Sequence, residues 1–525
     1  MSLGDAMLLV WRVARRPLLT TPCLVTARQK SLDAAPQIKR KDGALRSVRE
    51  IPGPPTFPLL GCLPSLVASG MTFNLKRIHK FFEGLIHKYG PIVRIETAQM
   101  PPGVLVINAD HTEAMIRATM DNPIRNGFLS LKKIRLEMED DYFEGKTGLL
   151  SENGEEWWRV RSKVQTPMMK PKNVASYLPQ VDQITLEFIE RMAFFQAKHG
   201  EMPHDFQTEL YKWALESVGV VALNRRLGCL TPDLPGDSEP MRLIGLVSDL
   251  FHNLNLTEFG VHTWRIFPTR PYRTVREKHT AFLRLVDSNI QETEALLLAQ
   301  GREDREATLM ESLLMTPGLS RKDVITLILD MILAGIDTTS HSIGFTLYLL
   351  ARHPAVQTKL QEEVDTVLRG HEGPLTAQHL AKLSYLKAVI KESLRIFPLV
   401  LGTIRTLEKD LILDNYVIPK NWSVLSMNML TGWEETYFPR AKEFLPERWL
   451  RHKPLGPIHP YASLPFGAGV RMCIGRRLAE QEMYIFLTRV MQRFTLDYKY
   501  EDIDIITSLV CIPSQPLRFN LIERT

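Results

Sequence analysis

Cysteine is scarce in this chain. Five thiols are spread over 525 residues, at Cys23, Cys62, Cys229, Cys473 and Cys511. Their spacing builds neither a disulfide framework nor a zinc site, and it fits a reducing compartment. A long apolar run near the N-terminus is missing too: the leader's longest covers residues 6–11, far below the ~20 residues needed to span a bilayer. No G-x-G-x-x-G and no β-α-β alternation is present. This excludes a built-in nicotinamide or flavin domain. There is no internal repeat and no polar linker, although length alone would allow about three domains.

The body of the chain also lacks a charge excess. Residues 1–50 hold ten Lys/Arg against four Asp/Glu, whereas the remainder holds 55 of each sign. The formal charge of +6 therefore belongs to the leader, and no nucleic-acid partner is expected. Within residues 1–32, Arg12, Arg15, Arg16, Arg28 and Lys30 face a single acid, Asp5. That mixture with Ser, Thr and Leu reads as a mitochondrial transit peptide, a disordered basic tail being the alternative. Residues 1–40 are assigned to transit peptide and linker, with cleavage in 25–45, and residues 41–525 to a single domain. Ile51-Pro52-Gly53-Pro54-Pro55 stiffens the entry to that domain, because proline fixes φ and removes donors.

Helical periodicity dominates the body. It predicts helices over 72–89, 110–119, 154–166, 173–198, 205–226, 240–255, 273–300, 321–352, 355–369, 383–395 and 474–493. Short strands are predicted at 92–96, 104–108, 411–413 and 424–427. The fold class is mostly α with a small β region. The helix over 321–352 opens with a capping-box pattern at Ser320 and Asp323, is stopped by Pro354, and is apolar nearly all round, which predicts burial. Asp323, Asp330 and Asp337 interrupt it too often for a membrane span. Residues 251–272 mix Phe251, Leu254, Leu256, Phe259, Trp264, Ile266 and Phe267 with polar neighbours. That pattern reads either as a peripheral membrane contact and substrate entrance or as an ordinary core contact.

The chemistry concentrates at Phe466-Gly467-Ala468-Gly469-Val470-Arg471-Met472-Cys473-Ile474-Gly475. The glycines Gly467, Gly469 and Gly475 permit turns closed to other residues, and Arg471 can reach an anion beside the sulfur. The stretch resembles the F-x-x-G-x-R-x-C-x-G signature of the cytochrome P-450 family, with every fixed position matched. The resemblance covers roughly residues 50–520. It implies haem b (iron protoporphyrin IX) held between a long central helix and a cysteine-bearing loop, with Cys473 as axial thiolate ligand of the iron.

Other segments extend the resemblance. Ala334-Gly335-Ile336-Asp337-Thr338-Thr339 is similar to the family's oxygen-side segment, which implies an oxygen-stabilising role for Thr338 and a proton relay at Asp337; the small pair Ala334-Gly335 is expected to leave room for dioxygen. Trp157 and Arg161, spaced i,i+4 on one helical face, match the W-x-x-x-R element that meets a propionate, and Arg405 and Arg471 match the other usual partners. Glu392, Arg395 and Arg448 match a structural triad that locks the cysteine loop. Lys387 and Lys391, with Arg476 and Arg477, resemble the basic face on which the mitochondrial branch binds an acidic 2Fe-2S ferredoxin, itself reduced by an NADPH-dependent reductase.

The implied activity is a monooxygenase that hydroxylates a lipophilic, sterol- or steroid-like substrate with O2, on the matrix side of the inner mitochondrial membrane. A xenobiotic-oxidising enzyme of the same branch is the nearest alternative. A non-turnover haem sensor and an electron-independent haem-thiolate isomerase are the rivals from other classes; the relay at Asp337 and Thr338 argues against the first, the basic face against the second. Pocket segments are expected at 124–143, 247–259, 326–338, 399–404 and 507–511, where Leu399, Val400, Leu401 and Val510 fit an apolar cavity or a packed core equally well.

Overall fold

The computed structural model describes residues 44–524 apart from 58–60, 63–64, 66–73, 98–100, 139–140, 301–306 and 372. The leader assigned to residues 1–40 lies outside the described residues. In chain order the helices are α1 (Ile78–Tyr89), α2 (Ala109–Ala118), α3 (Leu129–Leu136), α4 (Gly154–Met169), α5 (Pro171–Ala175), α6 (Leu178–His199), α7 (Phe206–Leu223) and α8 (Glu239–Glu258). They continue with α9 (Arg270–Gln300), α10 (Leu309–Leu314), α11 (Arg321–Arg352), α12 (Pro354–Val367), α13 (Ala377–Lys382), α14 (Ser384–Ile396), α15 (Asn428–Gly432) and α16 (Arg476–Arg493).

The strands are short. Those used below are β2 (Ile92–Ile95), β3 (Gly103–Val106), β4 (Thr403–Thr406) and β7 (Ser423–Ser426), following β1 (Arg46–Ser47) and flanking β5 (Leu411–Leu413) and β6 (Tyr416–Ile418). They form a four-stranded sheet in the order β2-β3-β7-β4 and a three-stranded one in the order β1-β6-β5. β8 (Phe494–Asp497) pairs with β11 (Asn520–Glu523), and β9 (Ile505–Ser508) with β10 (Val510–Pro513), both antiparallel.

α11 has the predicted bounds because both of its ends are chemically marked. Ser320 Oγ accepts from Asp323 N–H at 3.2 Å while Ser320 N–H donates to Asp323 Oδ2 at 2.7 Å. Its 32 residues extend about 48 Å at 1.5 Å each. By length and composition it could cross a membrane, yet 83% of its most apolar window is buried inside the protein. Its first half packs in one apolar cluster (Val324, Leu327, Ile332) and its second half in another (Ile343, Phe345, Leu349). α7 contributes Trp213 to the second and Val218 to the first, so it runs beside α11 across both.

Departures from the predicted elements have local causes. The helix expected over 173–198 is two helices, α5 and α6, because Pro179 lacks an N–H and sits in the first turn of α6. α3 was not expected, and its cap comes from afar: the Glu258 carboxylate accepts from Leu129 N–H and Ser130 N–H, each at 2.8 Å. Likewise Glu363 caps α14 through Tyr385 N–H at 2.7 Å and Leu386 N–H at 2.9 Å.

One buried acid at the α11–α16 contact makes a stability prediction. Glu482 accepts from Thr339 Oγ1 at 3.4 Å, and burial pushes its pKa up to about 8, against which the Thr339 bond acts. Its folded value lies above its unfolded one, so between roughly pH 4.5 and 8 only the folded chain keeps the proton, and stability falls as pH rises through that window. Glu482→Gln is expected to remove this dependence. Denaturant unfolding should show the variant gaining on the native chain from pH 5 towards pH 8; parallel curves would contradict the assignment.

Candidate active site

The cysteine loop is a tight turn leading into α16. Gly467 N–H donates to Leu464 C=O at 3.0 Å, Met472 N–H to Gly469 C=O at 3.1 Å, and Cys473 N–H to Phe466 C=O at 2.8 Å. Gly467 and Gly469 have φ of 69° and 74°, the left-handed region that glycine tolerates best. A Cβ on Gly469 would also stand 3.0 Å from the Met120 sulfur. Gly475 departs from expectation: its φ is −84° and a Cβ there would meet nothing within 4 Å. Its contribution is its N–H, which lies close enough to the Cys473 sulfur to lower the thiol pKa. Cys473 has accessible surface, yet burial raises its thiol pKa, opposed by the Gly475 N–H, Arg161 and Arg476 and assisted by Glu480. Both observations hold if the sulfur opens onto an internal gap walled by protein.

The loop's approach is anchored by one carboxylate. Glu392 on α14 accepts from Arg395 Nε (2.9 Å) and Nη2 (2.7 Å), from Arg448 Nε (2.8 Å) and from Leu445 N–H (3.1 Å). Trp449 Nε1 adds a further donor at 2.8 Å. The sequence pattern named the triad but not Trp449, although it is the next residue after Arg448. The arginines spend their remaining donors on backbone carbonyls of Gly432, Ala441, Glu443, Pro439 and Arg440. All three triad side chains are buried.

Arg161, Arg405 and Arg471 do come together, and Arg125 joins them. Arg471 donates to Asn153 Oδ1 at 2.7 Å and to the carbonyls of Glu152 (2.6 Å) and Pro123 (3.1 Å), with its guanidinium 4.8 Å from the Trp157 ring centroid. Arg161, on α4 with Trp157, donates to Met472 C=O at 3.0 Å, one residue from the sulfur. Arg405, on β4, bonds only its neighbour Ile404 C=O, at 2.8 Å. Arg125 bonds Leu150 C=O. Among the described residues, all four bond neutral oxygens and none makes an ion pair. Nε of Arg125, Arg161 and Arg471 is buried without a partner.

Burial depresses the pKa of all four guanidinia. Arg405 is pushed down to about 10 by burial and then by Arg125. Arg471 is pushed down to about 8 by burial and then by Arg125, Arg405 and Arg161, with Glu152 opposing. Arginine does not give up its proton in proteins, so these shifts register positive charge awaiting an anion. The two propionates of a haem supply that charge, and charge-assisted bonds to them would satisfy the stranded donors. The residues present fit the group. A lone arginine in an irregular segment carries no motif spacing, which is why sequence reasoning missed Arg125.

On α11, Asp337 and Thr338 point to different sides. Thr338 is half-buried and donates to Ala334 C=O at 2.7 Å. Asp337 is buried beside the Tyr211 hydroxyl of α7; burial raises its pKa to about 6, with that hydroxyl pulling it down. Gly335 does not open the space expected of it. A Cβ there would meet Val218 Cγ2 at 3.2 Å, so this glycine lets α7 close on α11.

The four basic residues expected to meet a partner are not equivalent. Lys391 and Arg477 are exposed, with Lys391 6.0 Å from the Trp449 ring centroid. Lys387 is half-buried and donates to Ala381 C=O at 2.9 Å, and Arg476 pairs with Glu480 at 2.9 Å. Four of the expected pocket segments share one apolar cluster, through Leu131, Val247, Leu254, Ile332 and Val510. The fifth joins by the bond from Cys511 N–H to Leu399 C=O at 2.8 Å. Leu399, Leu401 and Val510 are buried, whereas Val400 is 53% exposed. The 251–272 segment divides: Phe251, Leu254 and Trp264 are core, while Phe259, Val261, Ile266 and Phe267 are exposed.

A family model described as Cytochrome P450 matches residues 51–521. The probable cytochrome P450 301a1, mitochondrial, of Drosophila melanogaster is 34% identical over 481 residues, covering 90% of this chain and 86% of that protein. The cytochrome P450 302a1, mitochondrial, of the same organism is 33% identical over 479 residues, covering 90% and 94%. The mitochondrial 25-hydroxyvitamin D-1 alpha hydroxylase of Mus musculus is 32% identical over 506 residues, covering 94% and 96%.

Removing one partner of a buried charge strands the other, at a cost of about 3–5 kcal/mol. Arg395→Ala and Arg448→Ala are each expected to lower the unfolding free energy by about that much and to reduce the cofactor retained on purification. Either variant matching the native protein in both denaturant midpoint and cofactor content would contradict the lock.

Proposed function

The chain belongs to the cytochrome P450 family, and from that premise we propose that it is a mitochondrial enzyme fed by a 2Fe-2S ferredoxin and acting on a lipophilic, sterol- or steroid-like substrate. It is a haem-dependent monooxygenase. Haem supplies the activation of dioxygen; one oxygen atom enters a substrate C–H bond and the other leaves as water, with two electrons and two protons consumed. The protein's part is to hold, orient and supply protons. Cys473 would bind the haem iron through its sulfur, and its loop is fixed by the bond from its N–H to Phe466 C=O. Trp157, Arg161, Arg405, Arg471 and Arg125 would hold the propionates, and Glu392, Arg395 and Arg448 keep the loop in place. Asp337 carries protons toward the oxygen side. Thr338, its own proton given to Ala334 C=O, presents its oxygen lone pairs there as acceptors.

The observation that carries this reading is the cluster of four buried guanidinia without an anion, set one residue from Cys473 through Arg161. The apolar cluster uniting the pocket segments supports a lipophilic substrate. So does the Mus musculus relative, whose name gives 25-hydroxyvitamin D as what it hydroxylates. The basic leader and the word mitochondrial in the relatives' names support the location. Exposed Phe259, Val261, Ile266 and Phe267 support a peripheral contact with the matrix side of the inner membrane.

The test is NADPH consumption with purified ferredoxin and reductase, followed by a lipid-extract screen in which mass spectrometry seeks a product heavier by one oxygen. Product formation that requires the ferredoxin is expected. Equal turnover without it would overturn the partner assignment.

Two further outcomes follow from the surfaces. Lys387→Glu with Lys391→Glu should weaken ferredoxin affinity by roughly tenfold, about 1.4 kcal/mol, and spare the ferrous carbon-monoxide spectrum. Because Lys387 is already engaged, Lys391→Glu alone should account for most of the loss. Unchanged ferredoxin titrations would sink this face. Ile266→Asp with Phe267→Asp should reduce sedimentation with anionic-lipid vesicles, and undiminished co-sedimentation would remove this loop from the membrane contact.

A further inference from the structure

Asp337 sits with Tyr211 and His341 at the contact of α7 with α11. Its carboxyl lies beside the Tyr211 hydroxyl, which lowers its pKa against the effect of burial. The same hydroxyl lies 3.4 Å from His341 Nε2, and His341 Nδ1 lies 2.8 Å from the backbone carbonyl of Asp337. The Tyr211 and His341 rings meet edge to face, with centroids 5.6 Å apart.

The protons in this group follow from what each atom can do. A backbone carbonyl only accepts, so His341 Nδ1 carries a hydrogen and donates it. Burial holds the His341 pKa down to about 4, so the ring is neutral and Nε2 is a bare acceptor. The Tyr211 hydroxyl, whose own pKa is pushed further up by burial and by Asp337, keeps its proton. It therefore stands between two acceptors with one hydrogen to give.

We propose that Tyr211 and His341 form a two-position hydrogen-bond switch for Asp337: the Tyr211 O–H donates to the ionised carboxylate, and turns to His341 Nε2 when Asp337 carries a proton and donates to the Tyr211 oxygen. With Asp337 protonated every buried polar atom of the group is satisfied; with Asp337 ionised the carboxylate gains the Tyr211 donor and His341 Nε2 gives it up, so each state has something to lose and neither is locked. An arginine partner would hold the carboxylate ionised, and an apolar surround would hold it protonated. Tyr211 and His341 are thus positioning residues. No other charged side chain reaches Asp337 among the described residues: on α16 Glu482 faces Thr339; on α7 Glu209 pairs with both Arg191 and Lys212, and Glu216 pairs with Arg226; on α11 itself Asp330 pairs with Arg135. The inference rests on the relay role of Asp337 given above.

Tyr211 serves both forms, but its bond to the charged carboxylate is the stronger, whereas His341 helps only the protonated form, so removing them should move Asp337 in opposite directions. Tyr211→Phe takes the donor from the ionised form; His341→Leu takes the acceptor that the hydroxyl needs when Asp337 is protonated. The measurement is an infrared titration of the ferric, substrate-free enzyme, reading the protonated-carboxyl band that Asp337→Asn abolishes. The midpoint should rise by about one pH unit in Tyr211→Phe and fall in His341→Leu, as expected for loss of a hydrogen bond to a charged or neutral carboxyl. An unmoved midpoint in Tyr211→Phe, or shifts of the same sign in both, overturns the switch. If His341→Leu does not fold, the isosteric Tyr211→Phe decides alone. A separate measurement keeps the relay distinct: if Asp337→Asn leaves the ratio of product to hydrogen peroxide unchanged, the relay role falls while the infrared result stands.

Discussion

A buried carboxylate that accepts from two arginines, an indole and a backbone amide is the constraint on which this structure turns. Glu392 could not be taken out of water alone, and its donors come from both its own helix and the segment leading to the cysteine loop. Satisfying it therefore fixes that segment against α14. The arginines extend the fixation by tying five backbone carbonyls from Gly432 to Glu443. A pair of buried ions is weak evidence for net stability. What it gives here is placement, since few other arrangements would leave no charge stranded.

A second group of buried charges has the opposite character. Around Glu392 every donor has an acceptor, whereas Arg125, Arg161, Arg405 and Arg471 are gathered with donors to spare and no anion of their own. One part of the protein is closed and the other is complementary to something negatively charged. Cys473 adjoins the second group, its neighbouring carbonyl held by Arg161. The long helix α11 serves a third function: buried through most of its length, it carries Asp337 and Thr338 and sets them on different faces.

Much of this was legible in the sequence, because it rests on spacing along one element. The capping box and the proline after it bound α11 to the residue; the i,i+4 pair Trp157 and Arg161 required only helical geometry; the triad and the cysteine loop required only order and distance. What stayed hidden depends on contacts made across the chain. α3 is capped by Glu258, about 129 positions away. β4 exists because Thr403–Thr406 finds β7 in register. Arg125 belongs to the guanidinium cluster through Asn153, and Tyr211 meets Asp337 only where α7 crosses α11. Gly335 illustrates the converse, since a motif position read as an opening is filled by Val218.

The proposal that Cys473 binds haem iron as a thiolate is tested most directly by the ferrous carbon-monoxide difference spectrum of the purified protein beside that of Cys473→Ser. The native protein should show the long-wavelength Soret band of thiolate-ligated haem, and the variant should lose it. The same band in both, or no such band in a native protein that retains stoichiometric haem, would contradict it.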